Sequence, residues 1–148
     1  NGLPRNLTGA TAERLPLNHG FKAVQIAVSA WTAEALKQTL SASIFSRSTE
    51  CHNQDKVSMG TIAARDASRV IVLTEQVIAA LCCASVQAIH LKALDGSLAE
   101  VLAAFQAWVL QTFDYVVEDR PLQQELQQLV DRFENLELLN SERVYSIG

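Results

Sequence analysis

The sequence predicts an all-α fold, a bundle of long helices, and three observations lead to that class. Apolar residues make up 49% of the 148 residues and charged residues only 19%, a balance typical of a chain with a buried core. Six glycines and three prolines are too few for the frequent turns of a β-sandwich. Apolar residues also recur at steps of three and four over long stretches, which is the period of a helix with one buried face.

Turn-forming and periodic residues divide the chain into successive segments. Gly and Pro punctuate residues 1–17, which are expected to form a lead-in loop. Helical periodicity predicts a helix over residues 18–40, and the dense polar stretch after it predicts a loop over residues 41–57. A long core helix is expected over residues 58–94, followed by two further helices within residues 97–139. The apolar residues that carry the first helix are Phe21, Val24, Val28, Trp31, Ala35 and Leu36.

The expected ends of the last two helices rest on capping residues. Ser97 and Glu100 have the spacing of a capping box, in which the two side chains satisfy free backbone donors of the first turn. The third helix is therefore expected to start at Ser97 and to continue to about Val116. Asp119 and Pro121 suit the cap and the first turn of the fourth helix.

The stretch from Val70 to Leu91 is apolar on nearly all sides, so it should be buried nearly all round and needs neighbours that this chain alone does not supply. Its length would also suit a membrane span. Four polar residues within it argue against that interpretation, because each is costly in hydrocarbon. We therefore expect a central helix of a soluble oligomer and no membrane partner. The four residues are Glu75, Gln76, Gln87 and His90.

Charge and cysteine content narrow the possible partners. The net charge of −4 is spread along the chain without a basic stripe, so nucleic acid is not an expected partner. Cys51, Cys82 and Cys83 fit neither a disulfide framework nor a zinc site, so we expect a reducing, cytoplasmic location and no metal. A thiol nucleophile at Cys51 is also not favoured, because the adjacent His52 would point away from it and no other base is evident.

The densest polar segment, residues 46–56, lies between two strongly apolar helices and could be either solvated or organised into a site. Glu50 could move a proton or hold an ammonium group. Asn53 and Gln54 carry neutral amides, which orient ligands but are neither acids nor bases near neutral pH. The residues alone allow a simpler role as well, in which Glu50 caps a backbone amide or pairs with Arg47.

Beyond these patterns, several islands of sequence resemble the phenylalanine/histidine ammonia-lyase family, which also contains the 2,3-aminomutases. They follow the order of that family and nearly its spacing, and the Glu-x-His-Asn-Gln-Asp block followed by Ser-x-Gly is the most specific of them. The islands are Asn1-Gly2-Leu3-Pro4 through Asn6-Leu7, Gly20-Phe21-Lys22, Ile26-Ala27, Glu50-Cys51-His52-Asn53-Gln54-Asp55, Ser58-Met59-Gly60 and Ala63-Ala64-Arg65.

The resemblance implies that this chain is the C-terminal helical part of a longer enzyme, as its start at Asn1 without an initiator Met also suggests. It implies a homotetramer whose long helices gather in a central bundle. The family's electrophile, 4-methylideneimidazol-5-one (MIO), forms from an internal Ala-Ser-Gly. No Ala-Ser-Gly occurs in this chain, so the group is expected in the missing N-terminal part and the chain alone should be inactive.

The resemblance also implies roles for five residues of this chain. It places Glu50 near the substrate amine and the electrophile as the catalytic residue, and Ile26 against the substrate side chain. Lys22, Asn53 and Gln54 match further substrate-binding positions, although from the residues alone Lys22 would be a side chain whose stem covers apolar surface. Tyr115 and Tyr145 match no catalytic position of the family.

The substrate implied is L-phenylalanine or L-tyrosine, from which ammonia would be eliminated to give an arylacrylate. Glu50 and Lys22 match the phenylalanine-type pattern, whereas histidases tend to carry Asn-Gln-Glu-Asp. However, the segment from Val57 to Gly60 is more similar to histidases or bacterial members, and the aminomutases are similar over the same region. A 2,3-aminomutase, a histidine ammonia-lyase and a non-catalytic helical oligomerisation fragment therefore remain alternatives.

Overall fold

The computed structural model describes residues 6–54, 56–92 and 98–133. Four α-helices dominate it, and no strand occurs in this part of the chain, which confirms the all-α class. Two short 3₁₀ turns, Leu15–Leu17 and Ala42–Phe45, flank the first helix. The helices are α1 (Lys22–Lys37), α2 (Gly60–Leu91), α3 (Glu100–Val109) and α4 (Gln123–Asp131).

The chain folds as two compact units. The first draws on residues 1–25 and 78–148, and the second is formed by residues 26–77. In the first unit, the C-terminal part of α2 packs with α3, α4 and the start of α1 around a shared apolar core. Phe21 and Phe113 meet there edge to face, with ring centroids 6.2 Å apart. The core residues are Phe21, Ala79, Cys83, Val86, Val109, Phe113, Val116 and Leu129.

In the second unit, α1 and the N-terminal part of α2 are joined by an exposed ion pair between Glu34 and Arg69, with Nε 2.7 Å from Oε1. Leu73 on α2 is fully buried in this unit. After α1 ends, residues 38–41 lead into the 3₁₀ turn, whose Ala42 is also buried. This arrangement leaves the following polar loop on the surface of the unit.

The long helix α2 is buried along one side only. Leu73, Cys83 and Val86 are fully buried or nearly so, whereas Ile71 is 59% and Leu81 64% exposed. The chain by itself therefore does not cover this stretch all round, and its burial by neighbours in an oligomer stays a prediction. By length and composition alone α2 could cross a membrane, with a mean hydropathy of 1.8 in its most apolar window, but core helices of soluble proteins meet the same criterion.

The expected ends of α3 are wrong. The helix begins at Glu100 after Ala99, which has no side chain able to cap it, and Ser97 lies outside the described residues. At the other end it stops at Val109 instead of continuing to Val116. Residues 111–113 still form turn bonds to Trp108 and Val109, whereas the N–H and carbonyl of Val116 bond to Gln87 and Gly9 instead of to helical neighbours.

The expected cap of α4 is also wrong. Leu122 precedes the helix and provides no side-chain cap, and Asp119 binds elsewhere. Its two carboxylate oxygens accept the backbone N–H groups of His19 and Gly20, about 100 residues earlier in the chain. The Asp119 carboxylate, which the local spacing predicted as the N-cap of the fourth helix, therefore accepts hydrogen bonds from a distant segment instead.

Candidate functional site

The polar loop after the Ala42–Phe45 turn is closed by two sets of hydrogen bonds. At its base, the Ser46 hydroxyl accepts the N–H of Val57 at 2.8 Å. Further out, Thr49 and Gln54 form an isolated antiparallel bridge, with N···O distances of 3.0 and 3.2 Å in the two directions. These bonds give the loop a hairpin-like backbone, and most of its described side chains are exposed.

Three consecutive residues at the tip of this turn have left-handed backbone conformations. The φ angles of Glu50, Cys51 and His52 are 51°, 53° and 67°. Each such conformation costs a non-glycine residue about 1–2 kcal/mol. Strained backbone of this kind persists only where the surroundings hold it, and it concentrates at ligand-binding and catalytic sites. The turn is therefore a candidate site on physical grounds.

The Glu50 carboxylate points into solvent and has no hydrogen-bond or ion-pair partner within the described part of the chain. Pairing with Arg47, the simpler role considered above, is not formed. The Arg47 guanidinium instead donates to the carbonyls of Phe45 and Ser46 at 3.1 and 2.9 Å. The charge of Glu50 is therefore available to a ligand.

The two amide side chains of the turn, those of Asn53 and Gln54, differ in their hydrogen bonds. Gln54 accepts a hydrogen bond from the Thr49 hydroxyl at 3.0 Å through Oε1, which orients its side chain and leaves its Nε2 donors without an acceptor among the described residues. Asn53 is exposed, and its backbone N–H donates to the Glu50 carbonyl at 3.0 Å. The turn thus groups one carboxylate and two amides within five residues.

Lys22 and Ile26, the other two predicted site residues, lie on α1. Lys22 is the first residue of the helix and is exposed, and Ile26 is 57% exposed. A spacing of four residues places them one turn apart on the same face of this helix. An exposed isoleucine beside a lysine is a suitable surface for the apolar and charged parts of an amino acid.

The start of α1 is held by contacts that the sequence did not predict. Asp119 accepts the N–H of His19 through Oδ2 and that of Gly20 through Oδ1, both at 2.7 Å. These backbone donors, that of His19 first, hold the pKa of the Asp119 carboxyl below its usual value. In return, the N–H of Asp119 donates to Asn18 Oδ1 at 2.7 Å. No local pattern links residues so far apart in the chain.

Gln87 was also missed as a structural residue. It is fully buried on α2, and its amide bonds to the backbone of Leu7 and Val116. The only signal in the sequence was a glutamine in an otherwise apolar stretch, which counted against a membrane span. In the fold, this residue ties the lead-in loop to the segment after α3.

The cysteines and acidic residues do not form an evident metal or thiol site in the described ranges. No three His, Cys, Asp or Glu side chains converge within residues 6–54, 56–92 and 98–133. Cys51 is exposed, whereas burial raises the pKa of the Cys83 thiol to about 12. His52 accepts or donates a hydrogen bond with the Ser48 hydroxyl at 2.7 Å and not with the thiol.

Comparisons with known proteins identify relatives of this chain. The sequence model of the family described as aromatic amino acid lyase matches residues 1–110, which include α1, the polar turn and α2. The chain is 32% identical to histidine ammonia-lyase 1 of Fusobacterium nucleatum, over 82% of this chain and 23% of that protein. It is 39% identical to a tyrosine ammonia-lyase of Cereibacter sphaeroides, over 74% of this chain and 21% of that protein.

A solved structure gives the same result for the fold. The crystal structure of a tyrosine aminomutase from Streptomyces globisporus superposes with a TM-score of 0.81 at 28% identity, over 94% of this chain and 26% of that one. The chain thus spans about a quarter of the length of the relatives it matches. With the family model covering most of its length and the fold shared, the chain belongs to the aromatic amino acid lyase family.

Proposed function

We propose that this chain is part of an aromatic amino acid ammonia-lyase that eliminates ammonia from L-phenylalanine or L-tyrosine to give an arylacrylate. One observation carries the proposal. Within the stretch that matches the family, the strained left-handed turn carries Glu50, whose carboxylate has no partner among the described residues, within five residues of the amides of Asn53 and Gln54. Strained backbone of this kind is found preferentially where a ligand is bound or a reaction is catalysed.

The elimination removes the amine from one carbon of the substrate and a proton from the next. In this proposal, Glu50 holds the substrate ammonium or takes up a proton from it, because its exposed carboxylate can do either. Asn53 and Gln54 orient the substrate through their amide donors and acceptors. Lys22 and Ile26 contact the substrate from α1, with Ile26 against its aromatic side chain.

The electrophile would be MIO, which supplies the site that activates the amine as a leaving group. This chain contains no Ala-Ser-Gly from which MIO could form, so the group would come from another part of the polypeptide. The residues present here could lie next to such a group, since a carboxylate and two amides can bind its substrate but offer no electrophile. We therefore expect residues 1–148 alone to release no cinnamate or coumarate.

The proposal includes a homotetrameric assembly and a cytoplasmic location. The exposed apolar residues of α2, such as Ile71, Ile78 and Leu81, suit burial by other parts of a homotetramer. Three cysteines without a disulfide partner among the described residues suit a cytoplasmic protein. Light scattering of the intact protein tests the assembly, and a stable, monodisperse monomer would contradict it.

The activity is tested on the intact polypeptide that contains this chain. It is incubated separately with L-phenylalanine, L-tyrosine and L-histidine, and the products are followed by absorbance and chromatography. Release of cinnamate or coumarate together with ammonia supports the proposal. Formation of a β-amino acid would show an aminomutase, and formation of urocanate a histidine ammonia-lyase. No product from any of the three would leave a non-catalytic helical oligomerisation fragment.

A further inference from the structure

We propose that Asp119 is a positioning residue for the active site: by holding the backbone at the start of α1, it sets the direction in which Lys22 meets the substrate. The inference rests on the proposed function, because it gives Lys22 a role in substrate binding. It adds a residue that lies far from the polar turn in sequence and has no assigned role. All the groups involved belong to the first unit.

The first step of the argument is the geometry of the carboxylate. Each oxygen of Asp119 accepts one backbone N–H, that of His19 or that of Gly20, at 2.7 Å. The N–H of Asp119 donates in return to Asn18 Oδ1 at the same distance. Three reciprocal bonds between two short segments fix both their separation and their relative rotation, which a single bond could not do.

The second step concerns the connection to Lys22. The N–H of Lys22 donates to the carbonyl of His19 at 3.2 Å, so the residue that Asp119 holds is bonded directly to the first residue of α1. The neighbouring N–H of Phe21 donates to the Asn6 carbonyl at 2.7 Å, and the Phe21 ring is buried in the core. The first turn of α1 therefore has little freedom while these bonds are present.

The third step is the rigidity of the segment that carries Asp119. The Thr8 hydroxyl donates to the Val117 carbonyl at 2.9 Å, and the N–H of Gly9 donates to the Val116 carbonyl at 2.9 Å. Gln87 holds Val116 from the other side through two hydrogen bonds. Asp119 thus projects from a braced segment, so its position is transmitted to α1 and is not absorbed by a mobile loop.

Lys22 needs such support because its side chain is exposed and long, with no hydrogen bond or ion pair to another described residue. The direction of its Cα–Cβ bond is then set by the backbone of the first turn. A displacement of about 1 Å at a group that orients a substrate can lower activity by as much as about a hundredfold. Removal of the Asp119 carboxylate should therefore displace the ammonium group of Lys22.

The experiment is a double-mutant cycle in the intact protein with Asp119→Ala and Lys22→Met. We expect Asp119→Ala to lower kcat/KM about tenfold, mainly through KM, when Lys22 is present. In the Lys22→Met background it should lower kcat/KM by less than about twofold, because the group that it positions is gone. Asp119→Asn, which keeps one acceptor oxygen, should lie between Asp119→Ala and the wild type.

Glu118→Ala is the matched control. Glu118 is adjacent to Asp119 in the same segment and also binds the lead-in loop, but through an exposed ion pair with Arg14, whereas the N–H groups of His19 and Gly20 donate to Asp119. Its kcat/KM should stay within about twofold of the wild type. An equal loss in the control would show that any disturbance of this segment lowers activity and would overturn the proposal.

Three further results would overturn it: the same factor for Asp119→Ala in both backgrounds, no loss in either, or unchanged kcat/KM in Lys22→Met alone. If the intact protein proves to have no lyase activity, the proposed function fails. The role of Asp119 in holding the start of α1 is then tested separately by amide hydrogen exchange.

The peptide that contains residues 19–22 should exchange its amide hydrogens faster in Asp119→Ala than in Glu118→Ala. Unchanged exchange there would overturn the role of Asp119 by itself.

Discussion

The side-chain amide of Gln87 and the backbone of Val116 are joined by two hydrogen bonds. Nε2 of Gln87 donates to the Val116 carbonyl at 2.8 Å, and Oε1 accepts the Val116 N–H at 3.0 Å. The same Nε2 group donates to the Leu7 carbonyl at 2.9 Å. One fully buried side chain of α2 therefore satisfies polar backbone groups of two different loops.

Replacing Gln87 with Leu should destabilise the intact protein by about 2–4 kcal/mol. The Val116 N–H and the Leu7 carbonyl would lose Gln87 as their partner in the interior, at about 1–3 kcal/mol each, whereas the Val116 carbonyl keeps its bond from Gly9. The measurement is the Tm of the variant. Gln127→Leu, which removes an exposed glutamine of α4, is the control and should change stability by no more than about 0.5 kcal/mol. Equal shifts in Tm in the two variants would show that the hydrogen bonds of the buried Gln87 amide do not stabilise the fold.

Gly20→Ala should be strongly destabilising, and Gly60→Ala should not. Gly20 has a φ of +55°, and an added Cβ would lie 2.4 Å from the Asn6 carbonyl oxygen, a backbone atom that cannot rotate away. At Gly60, in the first turn of α2, the nearest atom to an added Cβ is the Ser58 hydroxyl oxygen at 3.6 Å. Alanine there should stabilise the helix by up to about 1 kcal/mol. The measurement is the Tm of both variants, and an equal change in Tm would contradict this account.

The contribution of Asp119 to stability should depend on pH in one direction. Hydrogen bonds from His19 and Gly20 lower the pKa of its carboxyl below the ordinary value of 3.8. The folded state therefore binds this proton less readily than the unfolded state, so the stabilisation is present above pH 3.8 and is lost as the pH falls through the lower, folded-state pKa.

The test compares the Tm of Asp119→Asn with that of the wild type over a range from about pH 3 to pH 7. The difference should narrow at the acid end, because the protonated wild-type carboxyl loses the same charge-assisted bonds. A difference that widens on acidification would show that the carboxylate is not stabilised by these donors.

Replacing Glu50 with Gln in the intact enzyme should lower kcat/KM by about a hundredfold or more. The substitution keeps the shape of the side chain but removes the charge that the turn presents to solvent. The Tm should change little, because Glu50 has no ion-pair or hydrogen-bond partner among the described residues. Glu13→Gln, at another exposed glutamate, should leave kcat/KM unchanged. Unchanged turnover in Glu50→Gln, or a loss explained wholly by unfolding, would remove Glu50 from the site.

The candidate site was predicted from the sequence only as a set of residue types. The resemblance named Lys22, Ile26, Glu50, Asn53 and Gln54, and their roles stay predictions until activity is measured. What the sequence did not show is that Glu50 heads a run of three left-handed residues. Left-handed backbone is expected at glycine, and no glycine stands at the tip of this turn to signal it.

The sequence by itself determined the all-α class and the family, because helical periodicity and short motifs are local properties that a chain carries wherever it folds. The tertiary structure alone decided where α3 ends, which group holds the start of α1 and which glutamines are buried. Those outcomes depend on partners such as Asp119 and His19, which are about 100 residues apart in the chain but 2.7 Å apart in the fold. A buried donor or acceptor must bond to a partner that packing brings close, and the spacing of residues along the sequence does not predict which partner that is.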